Sequence, residues 1–181
     1  MPLTGQTVAF LVSKEGIEQA ELTEPWKAVT EAGATPKLIS MKPGTVQAFR
    51  HLDRTDTFPV DEVAAKARPD DYAALVLPGG VANGDLLRWQ PPAVDFVQGF
   101  GRTGRPIAVI CHGGWILIEA GLVRGVRITS WPSLATDYRN AGAEWVDEEV
   151  VVDQGERTLI SSRKPADLPA FCRELLAWAA K

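Results

Sequence analysis

Residues 107–120 read IAVICHGGWILIEA. Ile107 to Ile110 is a short apolar run rich in β-branched residues, which reads as a buried parallel strand, and Trp115 to Ala120 reads as a helix closed by Gly121. Between them, Cys111-His112-Gly113-Gly114 has to carry the chain from strand to helix with no intervening loop, and its glycines permit the tight backbone of such an elbow. The same strand-then-helix unit recurs on both sides. Thr7 to Ser13 reads as a strand followed from Ile17 by a helix that Gly33 closes, with Pro25 in its first turn or kinking it and Glu18 to Glu24 set off as a short separate turn. Pro36 to Met41 and Tyr72 to Leu77 are further strands, the latter ending in Pro78-Gly79-Gly80. In the polar stretch between them, two small strands near Gly44 to Phe58 flank a hairpin tip at His51-Leu52-Asp53-Arg54, and a short helix starts at Val60. Pro92 to Phe100 is helical. Beyond the elbow come a strand at Val126 to Thr129, a helix at Leu134 to Ala141, strands at Glu149 to Asp153 and Thr158 to Ser162, and an amphipathic helix from Asp167 to Ala180. This alternation predicts an α/β fold, a mostly parallel sheet with helices on both faces, in one domain spanning 1–181. In such sheets ligands bind beyond the carboxyl ends of the strands, which directs attention to residues 13–21, 78–85 and 111–114.

Composition narrows the function classes. The 181 residues are 45% hydrophobic and 23% charged, with 19 Lys+Arg against 23 Asp+Glu and no block of like charge. A nucleic-acid partner is not expected from that balance. No apolar run approaches the roughly 18 to 20 residues that span a bilayer, so no membrane partner is expected, and the first residues lack the pattern of an export signal, which predicts a cytoplasmic location. Two cysteines, Cys111 and Cys172, and two histidines, His51 and His112, cannot build a disulfide framework or a cysteine zinc site. Neither a metal nor a cofactor is expected.

Each candidate residue has a chemical and a structural reading. Cys111 is either a nucleophile lifted off the sheet, its thiolate favoured by the helix N-terminus behind it, or a buried structural cysteine. His112 is either its general base, needing a carboxylate to orient it because elbow neighbours point apart, or a turn residue facing solvent. Gly79 and Gly80 offer bare amides to an oxyanion, or simply a turn. Glu18 and Glu21 are a pair on one helical face, or caps and solvated surface; Asp85 is most simply an N-cap or first-turn acid of the helix that follows. Cys172, among Phe171, Leu175, Leu176 and Trp178, reads as core or helix surface.

Three stretches together, AVICHGGWILIEAGLVRGVRITSWPSLATDYRNAGAEWVDEEVVVD from Ala108 to Asp153, LVLPGGVANGD from Leu75 to Asp85 and IEQAELTEP from Ile17 to Pro25, resemble the PfpI (intracellular protease I, protein deglycase-like) branch of the ThiJ/PfpI superfamily. The resemblance implies a three-layer α/β/α sandwich, flavodoxin-like or class I glutamine amidotransferase-like, with a nucleophile-elbow cysteine. It implies that Cys111 is the reactive cysteine, His112 the histidine beside it, Glu21 the buried glutamate that bonds the cysteine, and Glu18 a second carboxylate on the same segment. Gly80 and the His112 N–H match the oxyanion hole, flanked by Gly79 and Gly113. Asp85 matches the acid that orients the histidine from a neighbouring subunit in members with peptidase activity, although the loop 81–85 is one residue longer than in the archaeal proteases and carries Asp where they carry Glu. The activities implied are deglycase or glyoxalase III-like chemistry on small carbonyls or glycated protein, or peptide cleavage, in a stress-response protein that forms homodimers or larger assemblies. The alternative is redox sensing, with Cys111 oxidised to a sulfenic or sulfinic acid without turnover. A third is chaperone-like association through Trp89, Trp115, Trp131 and Trp145.

Overall fold

The computed structural model describes residues 3–181, so the first two residues of the expected domain 1–181 lie outside the described residues. In chain order the elements are β1 (Thr7–Leu11), β2 (Glu15–Glu18), α1 (Gln19–Glu31), β3 (Thr35–Ser40), β4 (Thr45–Arg50), β5 (Asp53–Pro59), β6 (Glu62–Val63), β7 (Ala74–Leu77), α2 (Val81–Arg88), α3 (Pro91–Gly101), β8 (Ile107–Ile110), α4 (Trp115–Glu119), β9 (Arg127–Ile128), α5 (Ala135–Asn140), β10 (Glu144–Trp145), β11 (Val150–Gln154), β12 (Thr158–Ser162) and α6 (Leu168–Ala179). A seven-stranded sheet runs β11-β12-β8-β7-β1-β3-β6, parallel throughout except for the edge pair β11 and β12.

Alternation along the central strands makes the layers. Leu75 and Leu77 of β7 and Ile107 and Val109 of β8 pack with Phe96 and Phe100 of α3 and Leu117 of α4, while Ala74, Val76, Ala108 and Ile110 face Leu22 and Val29 of α1 and Phe171 and Leu175 of α6. The three-layer α/β/α architecture of the sequence reading is therefore the observed one. β1 leads to β3 on one side, and the later strands β7, β8 and β12 lie on the other, so the strand order reverses between β1 and β7. The ends of β1, β7 and β8 meet at that switch, where a cleft opens.

Several local readings differ. The helix expected from Ile17 begins at Gln19, because Glu15–Glu18 pairs in parallel with Gln47 to Phe49 of β4 and completes a separate three-stranded sheet, β2-β4-β5. There is thus no separate turn from Glu18 to Glu24, and Pro25 lies in the interior of α1, where its missing N–H removes the donor for the Glu21 carbonyl. No helix starts at Val60; that segment adds the short strand β6 beside β3. The segment 81–85 is the first part of α2 and not a loop. The strand near Val126 is β9, which pairs only with β10, outside the main sheet.

Phe171 is fully buried on α6 at the sheet interface. Replacing it with Ala is expected to lower stability by about 3–5 kcal/mol, read as a lower urea midpoint with an unchanged m-value.

Candidate active site

Cys111 leaves β8 at φ 60, in the left-handed region, and the chain continues as one 3-10 turn (Cys111–Gly114) into α4. Among the described non-glycine residues only His51, at the β4–β5 hairpin tip, shares this conformation, with φ 58. Gly113 sits where a Cβ would meet the Leu77 and Pro78 carbonyl oxygens at 2.5 and 2.6 Å, so the elbow seats its backbone directly on the end of β7. A left-handed cysteine there costs on the order of 1–3 kcal/mol, which the surrounding packing must sustain.

His112 does not point away from its neighbour. Its Nδ1 lies 3.3 Å from Cys111 Sγ, and its ring is held between Trp115 (centroids 5.4 Å apart, tilted) and Trp131 (5.8 Å, stacked). Its Nε2 meets Ser133 Oγ at 3.4 Å. Burial pulls the imidazole pKa below its usual value, which favours the neutral, proton-accepting ring. Two indoles and a hydroxyl therefore do what the sequence reading assigned to a carboxylate. Asp85 lies on the exposed side of α2 rather than at its N-terminus; it lines the same cleft, and among the described residues it makes no hydrogen bond to His112.

Glu21, in the first turn of α1, is fully buried. Both its oxygens are shut off from solvent without a well-aligned partner; the groups acting on them are the Cys111 side chain and the Gly79 amide. Burial pushes this carboxyl up to about 8, and the charge of Glu18 adds to the rise. At neutral pH it keeps its proton and can donate to sulfur. For Cys111 burial again dominates and pushes the thiol up, with a charged Glu21 adding to it, while the N–H groups of His112 and Gly80 oppose the shift. The readily formed thiolate expected from a helix N-terminus is thus not what the site provides, because α4 is short and the sulfur is buried.

The remaining expected residues fall around this centre. Gly80, at φ 95, caps α2 and passes so close to the Gly16 carbonyl that any Cβ would collide. Gly79 is pressed between Glu21 Oε2 and Cys111 Cβ. Glu18 is not on the helical face shared with Glu21: it ends β2, and its carboxylate accepts the His51 N–H at 3.0 Å. Trp89 and Trp145 stand apart from the sulfur, the latter donating to Ser130 Oγ.

Two contributions escaped the sequence reading. Asn83 is fully buried and clamps the strand ends, accepting the Ser13 N–H at 2.8 Å and donating to the carbonyls of Pro78 (2.9 Å) and Gly79 (3.1 Å). Within VANGD it reads as an ordinary turn residue. The hairpin tip brings Phe49, His51 and Leu52 to the cleft, a placement with no local sequence signal. The cleft encloses about 860 Å³. Among the described residues no group of three or more His, Cys, Asp or Glu side chains is gathered to hold a metal ion, and no helix is long and apolar enough to cross a membrane.

Residues 6–178 match the DJ-1/PfpI family. The chain is 40% identical over 169 residues to a deglycase of Pyrococcus horikoshii, covering 93% of this chain and 96% of that one. It is 39% identical over 160 residues to general stress protein 18 of Bacillus subtilis, covering 88% and 90%. A two-domain protein of Anabaena variabilis, with DJ-1/ThiJ/PfpI-like and ferritin-like domains, superposes with a TM-score of 0.87 at 32% identity over 95% of this chain, which spans about half (49%) of that protein.

Two outcomes test the geometry. The Glu21 carboxyl rises from 4.5 to about 8 on folding, so the native state holds a proton that the unfolded chain releases. That contribution to stability is complete below about pH 4.5 and is lost as pH rises through about 8, a few kcal/mol in all. Urea midpoints of Glu21→Gln should therefore improve on wild type progressively from pH 5 to 8; parallel profiles would mean the native carboxyl is ionised. Asn83→Ala strands the Ser13 N–H and is expected to cost about 1–3 kcal/mol in the same assay.

Proposed function

The chain belongs to the DJ-1/PfpI family, and on that premise we propose that it is a cysteine-dependent enzyme acting on small electrophilic carbonyls or their protein adducts. The observation that carries this reading is the fully buried Glu21 carboxyl beside Cys111 at a left-handed elbow that opens on a large cleft. With methylglyoxal, the Cys111 proton passes to His112 Nδ1 and the sulfur forms a bond to the aldehyde carbon. The carbonyl pair moves onto oxygen, which the N–H groups of Gly80 and His112 hold, and protonation gives a hemithioacetal. Neutral His112 then takes the proton from that carbon while the neighbouring ketone oxygen gains one; reprotonation of the enediol gives the thioester of a 2-hydroxy acid. Water cleaves it to lactate and restores the thiol, so the net change is addition of one water. Throughout, the protonated Glu21 donates to sulfur and keeps its negative charge out of the site.

The same donor would stabilise an oxidised sulfur, which supports the second reading, a sensor that stops at a sulfinic acid. Cys172 lies on α6 in a separate hollow beside Glu24 and Lys27, unable to resolve a sulfenic acid as a disulfide. Peptide cleavage would need His112 oriented more firmly than Ser133 does, a task for Asp85 of a neighbouring copy. Leu52 and Val81, apolar and exposed on the cleft rim, support assembly into a homodimer or larger oligomer that covers them.

Lactate formation from methylglyoxal should vanish in Cys111→Ser and fall about 10²–10⁴-fold in His112→Ala. Undiminished turnover in Cys111→Ser would overturn the assignment, and stoichiometric oxygen addition at Cys111 without any turnover in wild type would favour the sensor.

A further inference from the structure

The segment that follows β9 returns to the elbow repeatedly. The Trp131 N–H donates to the Cys111 carbonyl at 3.3 Å, the Trp131 ring stacks on His112, and Ser133 Oγ meets His112 Nε2. Further contacts come from α5 and have no part in the chemistry described so far. Asp137 Oδ2 accepts the Trp115 Nε1–H at 2.8 Å, and the fully buried Tyr138 fills the space over Gly114, where a Cβ would lie 1.7 Å from its hydroxyl oxygen. Gly114 has φ −83, in the right-handed region open to every residue, so room for Tyr138 and not backbone freedom calls for glycine there.

The way His112 is held gives the α5 contacts a purpose. An imidazole turns readily about its last torsion, and at 3.4 Å the Ser133 contact is too long to stop it. The two indoles beside the ring have to do so, and each must itself be fixed. Trp131 is tied to Cys111 by its own backbone N–H. Trp115 is tied at its edge to the Asp137 carboxylate, a charge-assisted bond. Over its face stands the Arg88 guanidinium, 5.7 Å from the ring centroid and paired with Glu119 of α4 at 2.6 Å. The N–H lies at the rim of the indole, so bonding it sets the rotation of the face turned to the imidazole.

We propose that Asp137 is a positioning residue for His112: its carboxylate fixes the Trp115 indole, and the indole holds the imidazole with Nδ1 toward the Cys111 sulfur. Asp137 thus does through an aromatic ring, from within the same chain, what a carboxylate bonded directly to the imidazole does in a catalytic triad. The proposal rests on His112 being the base of the preceding section. It requires a hydrogen-bond acceptor at position 137 and not a charge.

Alkylation of Cys111 by iodoacetamide, a neutral reagent, tests this on the full chain. Sγ bonds to the methylene carbon, iodide leaves with the bonding pair, and the thiol proton passes to His112 Nδ1 and on to water. Rates at neutral pH are read by peptide-resolved mass spectrometry at Cys111 and, as an internal reference for general loosening, at Cys172. His112→Ala should slow Cys111 by about tenfold or more. Asp137→Ala and Trp115→Phe should each slow it about three- to tenfold, and the double variant no further than either alone, because the two side chains act as one unit. Asp137→Asn, which keeps an acceptor for the indole N–H, should restore the rate to within about twofold of wild type. Asp137 is exposed, so its replacement leaves the core intact, and Cys172 should react alike in all these proteins. An Asp137→Ala rate equal to wild type, single effects that multiply in the double variant, no rescue by asparagine, or a parallel change at Cys172 would overturn the positioning role while leaving His112 as the base. A Cys111 rate that His112→Ala leaves unchanged would instead overturn the base assignment and this inference with it.

Discussion

Position 79 has no room for a side chain. A Cβ there would overlap Glu21 Oε2 and lie 2.6 Å from Cys111 Cβ, so α1 and the elbow meet across bare backbone. The geometry around Cys111 depends on that closeness. It brings a carboxyl from one face of the sheet to the sulfur at the end of β8, excludes water from both, and fixes where the next amide, that of Gly80, can point. Asn83 holds the arrangement from beneath by tying the end of β1 to the carbonyls of Pro78 and Gly79, and the left-handed backbone at Cys111 is sustained by these contacts rather than by local preference.

Water exclusion then decides the protonation states. Two like charges about 4 Å apart in a medium of intermediate polarity repel by about 4 kcal/mol, whereas a hydrogen bond to a charged group is worth about 1.5–3 kcal/mol. A site holding both a carboxylate and a thiolate is therefore less stable than one holding a neutral carboxyl and a thiolate. Because burial favours the neutral Glu21, the residue that would oppose ionisation of Cys111 becomes its donor. His112, shielded by Trp115 and Trp131, is favoured in its neutral form by the same burial, with Nδ1 3.3 Å from the sulfur.

How much of this was legible in the sequence follows from the range of each signal. The parallel core was legible because β7 and β8 are buried on both faces and read as continuous apolar runs, and the elbow because strand and helix adjoin with only Cys-His-Gly-Gly between them. The residues around it could be matched one by one through the family's motifs. What failed was whatever a distant partner decides. Ile17 looks like the start of a helix until β4 pairs with Glu15–Glu18, and VANGD looks like a loop until Asn83 finds β1 and the segment coils into α2. The orientation of His112 was misjudged for the same reason: Trp131, which traps it, arrives from a different part of the chain.

The cleft thus has two halves of different origin, a floor built at the switch point of the main sheet and a wall delivered by the small β2-β4-β5 sheet. Glu18 belongs to both. Its carboxylate holds the His51 N–H at the hairpin tip, and its charge raises the pKa of Glu21. The charge that anchors the tip therefore also helps keep the proton on the buried carboxyl, so the wall and the floor of the cleft are linked electrostatically as well as by chain connectivity. A neutral residue at position 18 would loosen the tip and, in the same step, make Glu21 easier to ionise, placing negative charge where the thiolate has to form.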